Sequence, residues 1–355
     1  MNFGWTNKRS WKKKTKKVAG QMEPPTKEEE RKAEEDQPQQ GEDMFQRKLH
    51  KAAKYLAKAK RIVVYSGAGI SAESGISTFR APEVGVWANK VGLALYGTPF
   101  GWWLTPKLAW SIYLSKFRDP IARAKPNRGH YAITELQHVH DSKPDDHSFC
   151  IITQNVDGLH QRAGSPNSLV HELHGTVYRH ICSKNRHLHP YVLDPATLKP
   201  PASSSSASSS SSSSSSTQQA TREEEAEEEY DPEKDEFFTH DKKKFPRCQE
   251  CGSYLRPDAV LFTEGLPDEA WTEASLAVAR MTKGDCMIIV GTSGVVYPAA
   301  SLADRAIAKG GVRVIEVNPE PSTFSNDVDV FLQGPSGQVL PALVEELKSL
   351  SPSSS

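Results

Sequence analysis

Apolar residues recur along this chain with two periods. Between Met44 and Lys60, the residues Phe45, Leu49, Ala52, Ala53, Leu56 and Ala57 return at helical spacing with lysines among them, which predicts an amphipathic helix. Short apolar runs of strand length follow at 62–65, 149–152, 288–290 and 312–317. Each breaks at its carboxyl end into glycine, serine or side-chain amides, where an open α/β sheet places its ligand. Residues 91–113 are the most apolar neighbourhood, interrupted by Gly92, Gly97, Pro99, Gly101 and Pro106. That stretch reads as buried helices and loops, or as a cover over the site.

Other stretches are poor in apolar residues. Residues 1–43 carry charge in blocks, with Lys12–Lys14, Lys16 and Lys17 followed by Glu28–Glu30 and Glu34–Asp36. Such a segment cannot bury enough surface to fold alone, and 1–43, like 348–355, is expected to be disordered. Ser203–Ser216 and Glu223–Glu229 form a low-complexity insert, and 348–355 is a short polar tail. These tails explain why hydrophobic residues make up only 37% of the chain. No run of about eighteen apolar residues exists to span a membrane. The formal net charge of zero gives no global field for nucleic acid. The lysine block fits nuclear or cytosolic placement, with a mitochondrial presequence as the alternative.

Five cysteines, an odd number, argue against a disulfide framework and for a reducing compartment. Cys150 and Cys286 sit in strand-like runs as core residues. Cys182, Cys248 and Cys251 remain as candidate metal ligands.

The chemistry gathers at the strand ends. After the first strand, Gly67-Ala68-Gly69-Ile70-Ser71-Ala72 has the G-x-G-x-x-A spacing that turns a strand into a helix around a pyrophosphate. On this reading the first glycine permits the turn, the second lets backbone approach phosphate, and Ala72 allows close helix–strand packing. The string continues through Ser74, Ser77, Phe79 and Arg80. After the second strand, Gln154, Asn155 and Asp157 offer donors and acceptors for a ribose and a carboxamide. His174 precedes Gly175 and lies eight positions before Cys182, and its type suits a general base near neutral pH. Gly291, Thr292 and Ser293 end another strand, and Asn318 and Glu320 follow a further one.

Taken in order over residues 45–347, these segments resemble the sirtuin family. Residues 67–80 are similar to its GAGISxxSGIxxFR signature, with Ser77 where proline is usual. Residues 153–160 resemble its TQNxDxLH string, and 291–300 its GTSxxVxPA segment. The resemblance implies an α/β fold: a doubly wound parallel Rossmann-like sheet (44–174 and 261–347), a zinc-ribbon-type module (175–260) and a helical insert (about 81–130). It implies NAD bound by Gly67, Ala68, Gly69, Ser71, Phe79, Arg80, Gln154, Asn155, Asp157, Gly291, Thr292, Ser293, Asn318 and Glu320. It implies removal of acyl groups from protein lysine, the acyl oxygen attacking the ribose as nicotinamide leaves. His174 would activate a ribose hydroxyl, with Asn155 and Asp157 beside it, and the products would be lysine, nicotinamide and O-acyl-ADP-ribose. The partners implied are acyl-lysine proteins met by a monomer.

Two departures bear on detail. The first Cys-x-x-Cys pair of the family's zinc module is broken, because Asn185 stands where the second cysteine belongs. His187 or His189 could complete a Cys₃His set, or the module could fold without metal. The chain looks closest to the class removing succinyl and malonyl groups, which binds the acyl carboxylate with Tyr-x-x-Arg. Here Tyr113 is kept and Lys116 replaces arginine, with Arg118 near. That leaves acetyl and acidic acyl groups both open. Mono-ADP-ribosyl transfer to protein and a non-catalytic NAD-binding scaffold are the alternatives to deacylation.

Overall fold

The computed structural model describes residues 27–77, 97–142, 147–184, 186, 188–192 and 247–350. The chain divides into two compact units, and all the described strands lie in the larger, Gln46–Ser355. In chain order they are β1 (Arg61–Ser66), β2 (Ser148–Thr153), β3 (Val170–Glu172), β4 (Gly175–Cys182), β5 (Leu188–Val192), β6 (Leu255–Ala259), β7 (Cys286–Val290), β8 (Arg313–Asn318) and β9 (Val330–Gln333). The α-helices are α1 (Lys27–Lys58), α2 (Pro99–Leu104), α3 (Pro106–Tyr113), α4 (Asp119–Arg123), α5 (Arg128–Asp141), α6 (Leu159–Arg162), α7 (Asp268–Arg280), α8 (Ser301–Ala308) and α9 (Ser336–Leu350).

Six strands form one sheet in the order β3-β2-β1-β7-β8-β9, every pair parallel. Val64 on β1 sits opposite Ile151 of β2 on one side and Ile288 of β7 on the other. The strand order therefore reverses at the β1/β7 boundary, where a doubly wound fold opens its ligand crevice. The central strands are buried on both faces, which requires a layer of helices on each side. Val63, Tyr65, Met287 and Ile289 pack with Ala274, Val278, Leu302, Ala303 and Ala306 of α7 and α8. The alternate residues Ile62, Val64 and Ile288 are equally buried. Elsewhere in this unit α9 packs on α5, and His50 Nδ1 lies 2.6 Å from Glu346 Oε1, tying α1 to α9.

The second sheet, β5-β4-β6, is antiparallel and runs between Gly175 and Ala259. The described part of the apolar 91–113 stretch packs against it. Trp102, Trp110 and Tyr113 share a core with Val177, Tyr178, Cys182 and Leu255, and Trp110 Nε1 donates to Leu255 O at 2.7 Å. Helix α1 begins at Lys27, before the Met44 expected from apolar spacing, and α9 runs to Leu350, so 27–43 and 348–350 are helical where disorder was expected. Leu49, Ala52, Ala53 and Leu56 are buried as the pattern requires, whereas Ala57 is exposed.

Candidate active site

Strands β1 and β7 end side by side, so the two glycine turns that follow them touch. Gly67 N donates to Val290 O at 2.9 Å and Gly69 N to Gly291 O at 2.7 Å. A Cβ on Gly69 would stand 2.7 Å from both Gly291 Cα and Gly291 O. One on Gly67 would stand 2.8 Å from Thr292 Cβ. Gly291 itself has φ +58°, and a side chain there would meet Ile70 N at 2.3 Å. These glycines are thus demanded by one turn packing on the other, a reason invisible in a local motif. The helix expected after β1 is a 3₁₀ helix, Ala68–Ser74. One expectation needs correction: Ala72 is exposed and does not mediate helix–strand packing.

At the end of β2 the polar residues lock onto these turns. Asn155 Nδ2 donates to Gly67 O and to Ser71 Oγ, both at 3.2 Å. Ser71 Oγ donates to Asp157 Oδ2 at 2.7 Å, and Leu159 N to Asp157 Oδ1 at 3.0 Å. Burial raises the Asp157 carboxyl, while those donors pull it back toward the carboxylate. Gln154 Nε2 donates to Thr292 Oγ1 at 3.0 Å, and Asn318 Nδ2 to Thr292 O at 2.8 Å. The ends of β1, β2, β7 and β8 are therefore cross-linked by side-chain amides. Ala68 and Ser293 are half-buried beside this network, and Glu320 is exposed beyond it. Phe79 and Arg80 lie outside the described residues. Sequence reasoning passed over Glu316, a fully buried carboxylate on β8 whose Oε2 accepts from Ser325 Oγ at 2.6 Å. A lone acid inside an apolar strand was the available signal.

His174 lies between β3 and β4. Gly175, which follows, has φ +70°, and a Cβ there would fall 1.9 Å from Asp258 O, so only glycine fits. His174 Nδ1 is 2.8 Å from Gln154 O. A carbonyl only accepts, so Nδ1 carries the proton and Nε2 keeps its lone pair. Burial lowers the imidazole pKa below 6.5, the Gln154 carbonyl opposing, which favours the neutral form. His171 lies on β3, and its pKa is also lowered by burial.

Tyr113 and Lys116, the residues expected at the acyl end, differ in exposure. Tyr113 is buried and its hydroxyl donates to Val177 O at 3.1 Å, while Lys116 is exposed. The cation this segment buries is Arg118, with Nη1 3.5 Å from Asp119 Oδ1.

Cys182 at the end of β4 meets Cys248 and Cys251 from the loop before β6. The three sulfur atoms lie within 4.8 Å of one another, and Cys182 Sγ is 3.4 Å from Cys251 Sγ. Gly252, at φ +70°, closes the knuckle by donating to Cys248 O at 2.9 Å. Hydrogen bonds from Ser253 bring the Cys251 thiol down to about 7. Three convergent thiols, one of them acidic, fit the soft donor set of a structural zinc site. Asn185, His187 and the side chain of His189 lie outside the described residues.

A Sir2 family model matches residues 67–298. The NAD-dependent protein deacylase 2 of Pyrobaculum aerophilum is 40% identical over 297 residues, covering 83% of this chain and 94% of its own. The chain belongs to the Sir2 family. The NAD-dependent protein deacylase of Pyrococcus furiosus is 37% identical, covering 85% of this chain and 99% of its own. A Sir2 homologue solved as an NAD complex is similar in fold at a TM-score of 0.61 and 31% identity, covering 85% of this chain and 94% of that one. Sir2Af2 bound to a myristoylated histone peptide matches at a TM-score of 0.56 and 30% identity, over 86% of this chain and 98% of its own. The described segments 67–77, 153–160 and 291–298 within that match fall on or beside the facing strand ends described above. Among the described residues, no helix is long and apolar enough to cross a membrane.

Proposed function

We propose that this chain is an NAD-dependent protein-lysine deacylase. The observation that carries the reading is the state of His174: its Nδ1 proton is committed to Gln154 O, which leaves Nε2 free to accept one. The same Gln154 bonds Thr292, so the base is held on the cross-linked strand ends. When bound, NAD supplies the ribose carbon that takes the acyl group and the nicotinamide that leaves. The protein's own share is positioning and one proton transfer. Asn155 and Ser71, steadied by Asp157, present an amide and a hydroxyl to the ribose and nicotinamide end. Gly67, Ala68, Gly69, Gly291, Thr292 and Ser293 line the phosphate crevice, with Asn318 and Glu320 toward the adenosine. Phe79 and Arg80 are assigned to the cofactor on sequence alone.

His174 Nε2 takes the proton of a ribose hydroxyl, which general-base catalysis needs neutral at working pH. Cys182, Cys248 and Cys251 hold zinc, whose role is to fix the antiparallel module. Acyl-lysine side chains of proteins are the substrates, met by a monomer. The lysine block at residues 8–17 supports nuclear or cytosolic placement. Acetyl-lysine is favoured over acidic acyl-lysine, because Tyr113 spends its hydroxyl on Val177 and Lys116 faces solvent. An acyl-peptide panel with NAD tests this directly: release of nicotinamide and O-acyl-ADP-ribose supports deacylation. NAD label transferred to protein without acyl-ADP-ribose would favour ADP-ribosyl transfer.

A further inference from the structure

The 3₁₀ segment Ala68–Ser74 carries Ser71 into the crevice, yet it has little of its own to hold it in place. Its hydrogen-bond geometry is intrinsically poor; its first turn is pinned on the β7 turn through Gly67 N and Gly69 N, and at its far end Gly75 follows at φ +82° with open space around it. Two helix N-termini reach it, those of α5 and α9. Asn127, the N-cap of α5, accepts from Gly129 N at 2.9 Å through Oδ1. Its Nδ2 donates to Ile70 O at 2.7 Å and to Ser74 Oγ at 2.9 Å. Glu73 Oε2 accepts from Gly337 N at 2.7 Å and from Ser336 Oγ at 3.2 Å, at the start of α9. A Cβ on Gly337 would stand 2.8 Å from Glu73 Oε1, so glycine is what lets the carboxylate approach. A Cβ on Gly129 would meet Ser336 Oγ at 3.1 Å, so the two helix starts are themselves in contact.

We propose that Asn127 and Glu73 are positioning residues that pre-order the Ala68–Ser74 loop for the dinucleotide, acting through Ser71 without touching the ligand. The inference rests on the reading of the crevice as an NAD site. Glu73 replaces water at the N-terminus of α9 with a charge-assisted bond from Gly337 N, and the Asn127 side-chain amide ties the cap of α5 to the loop. A loop held in its binding geometry loses less entropy when the ligand arrives. Loosening it raises the cost of binding NAD and leaves the peptide side unaffected.

The test is calorimetric titration of the full-length protein with ADP-ribose, alongside steady-state kinetics. Glu73→Ala is expected to raise the ADP-ribose Kd and the KM for NAD by about 5- to 30-fold, the loss of a charge-assisted bond weakened by the exposure of Glu73. The KM for acyl-peptide and the kcat stay within about twofold, since neither depends on loop pre-ordering. Glu73→Gln keeps an acceptor oxygen and should fall between Glu73→Ala and wild type. Asn127→Asp keeps the cap oxygen for α5 but removes the donor to Ile70 O. It should therefore fold normally, by its thermal midpoint, and still lose ADP-ribose affinity. Wild-type affinity in both Glu73→Ala and Asn127→Asp would overturn the proposal while leaving the NAD site standing, as would equal rises in both KM values. A wild-type protein that binds no ADP-ribose would overturn the NAD site and the proposal with it.

Discussion

At His174 the direction of the pKa shift decides how the enzyme should respond to pH. Burial favours the neutral ring, so the base is competent below the ordinary 6.5 of histidine. The kcat/KM for deacylation should be flat at neutral pH and fall only on the acid side, with a midpoint below 6.5. A pH–rate profile with its midpoint at or above 6.5 would show that the base is a solvated histidine or another group. Tyr113 and Lys116 give a second residue-scale prediction. Because the Tyr113 hydroxyl is spent on Val177 O and Lys116 is exposed, Lys116→Met should leave the succinyl-to-acetyl rate ratio unchanged. A large loss of succinyl turnover in that variant would restore the clamp. Thr263 offers a third, since it is β-branched at φ +78° while Glu264 pins the same turn through Leu261 N and the guanidinium of Arg256. Thr263→Gly should raise stability by about 1 kcal/mol, read from the urea midpoint, because glycine adopts that backbone without strain. The histidine was legible from its glycine neighbour. The fate of the tyrosine was not, because its partner is a backbone carbonyl on a strand 64 residues away in sequence, and no local pattern encodes that choice.

Between elements, the contact of the β1 and β7 turns is the most demanding. Gly291→Ala places a methyl 2.3 Å from Ile70 N at a positive φ, and the neighbours are backbone that cannot step aside. A loss of about 3 kcal/mol or more is expected in urea unfolding, within the range for overpacking plus backbone strain. A variant as stable as wild type would mean that the turns do not touch. Strands β1, β2, β7 and β8 were legible because their apolar runs are bounded by glycine and amides. The Ala68–Ser74 helix type was not, since a G-x-G-x-x-A spacing is satisfied by an α or a 3₁₀ turn alike. Nor was the start of α1: its lysine- and glutamate-rich N-terminal part has helix propensity but no apolar face for periodicity to detect.

At the scale of the molecule, the parallel sheet with its reversal at β1/β7 creates the crevice, and the small antiparallel sheet closes the core around Trp110. The zinc proposal belongs at this scale, because the thiols join β4 to the loop before β6. Purified protein should carry about one equivalent of zinc by elemental analysis, with chelation lowering the thermal midpoint, since structural zinc contributes folding energy. Less than about a tenth of an equivalent would mean that three thiols do not suffice. The account's central claim is that His174 is the base of an NAD-dependent deacylation. Its most direct test follows acetyl-lysine peptide with NAD by mass spectrometry, in wild type and His174→Ala, each first shown to bind ADP-ribose. Wild type should yield nicotinamide and O-acetyl-ADP-ribose, and His174→Ala should be slower by about 10²–10⁴-fold at unchanged ADP-ribose affinity. An equal rate in the two proteins, or no acyl-ADP-ribose from wild type, would contradict it.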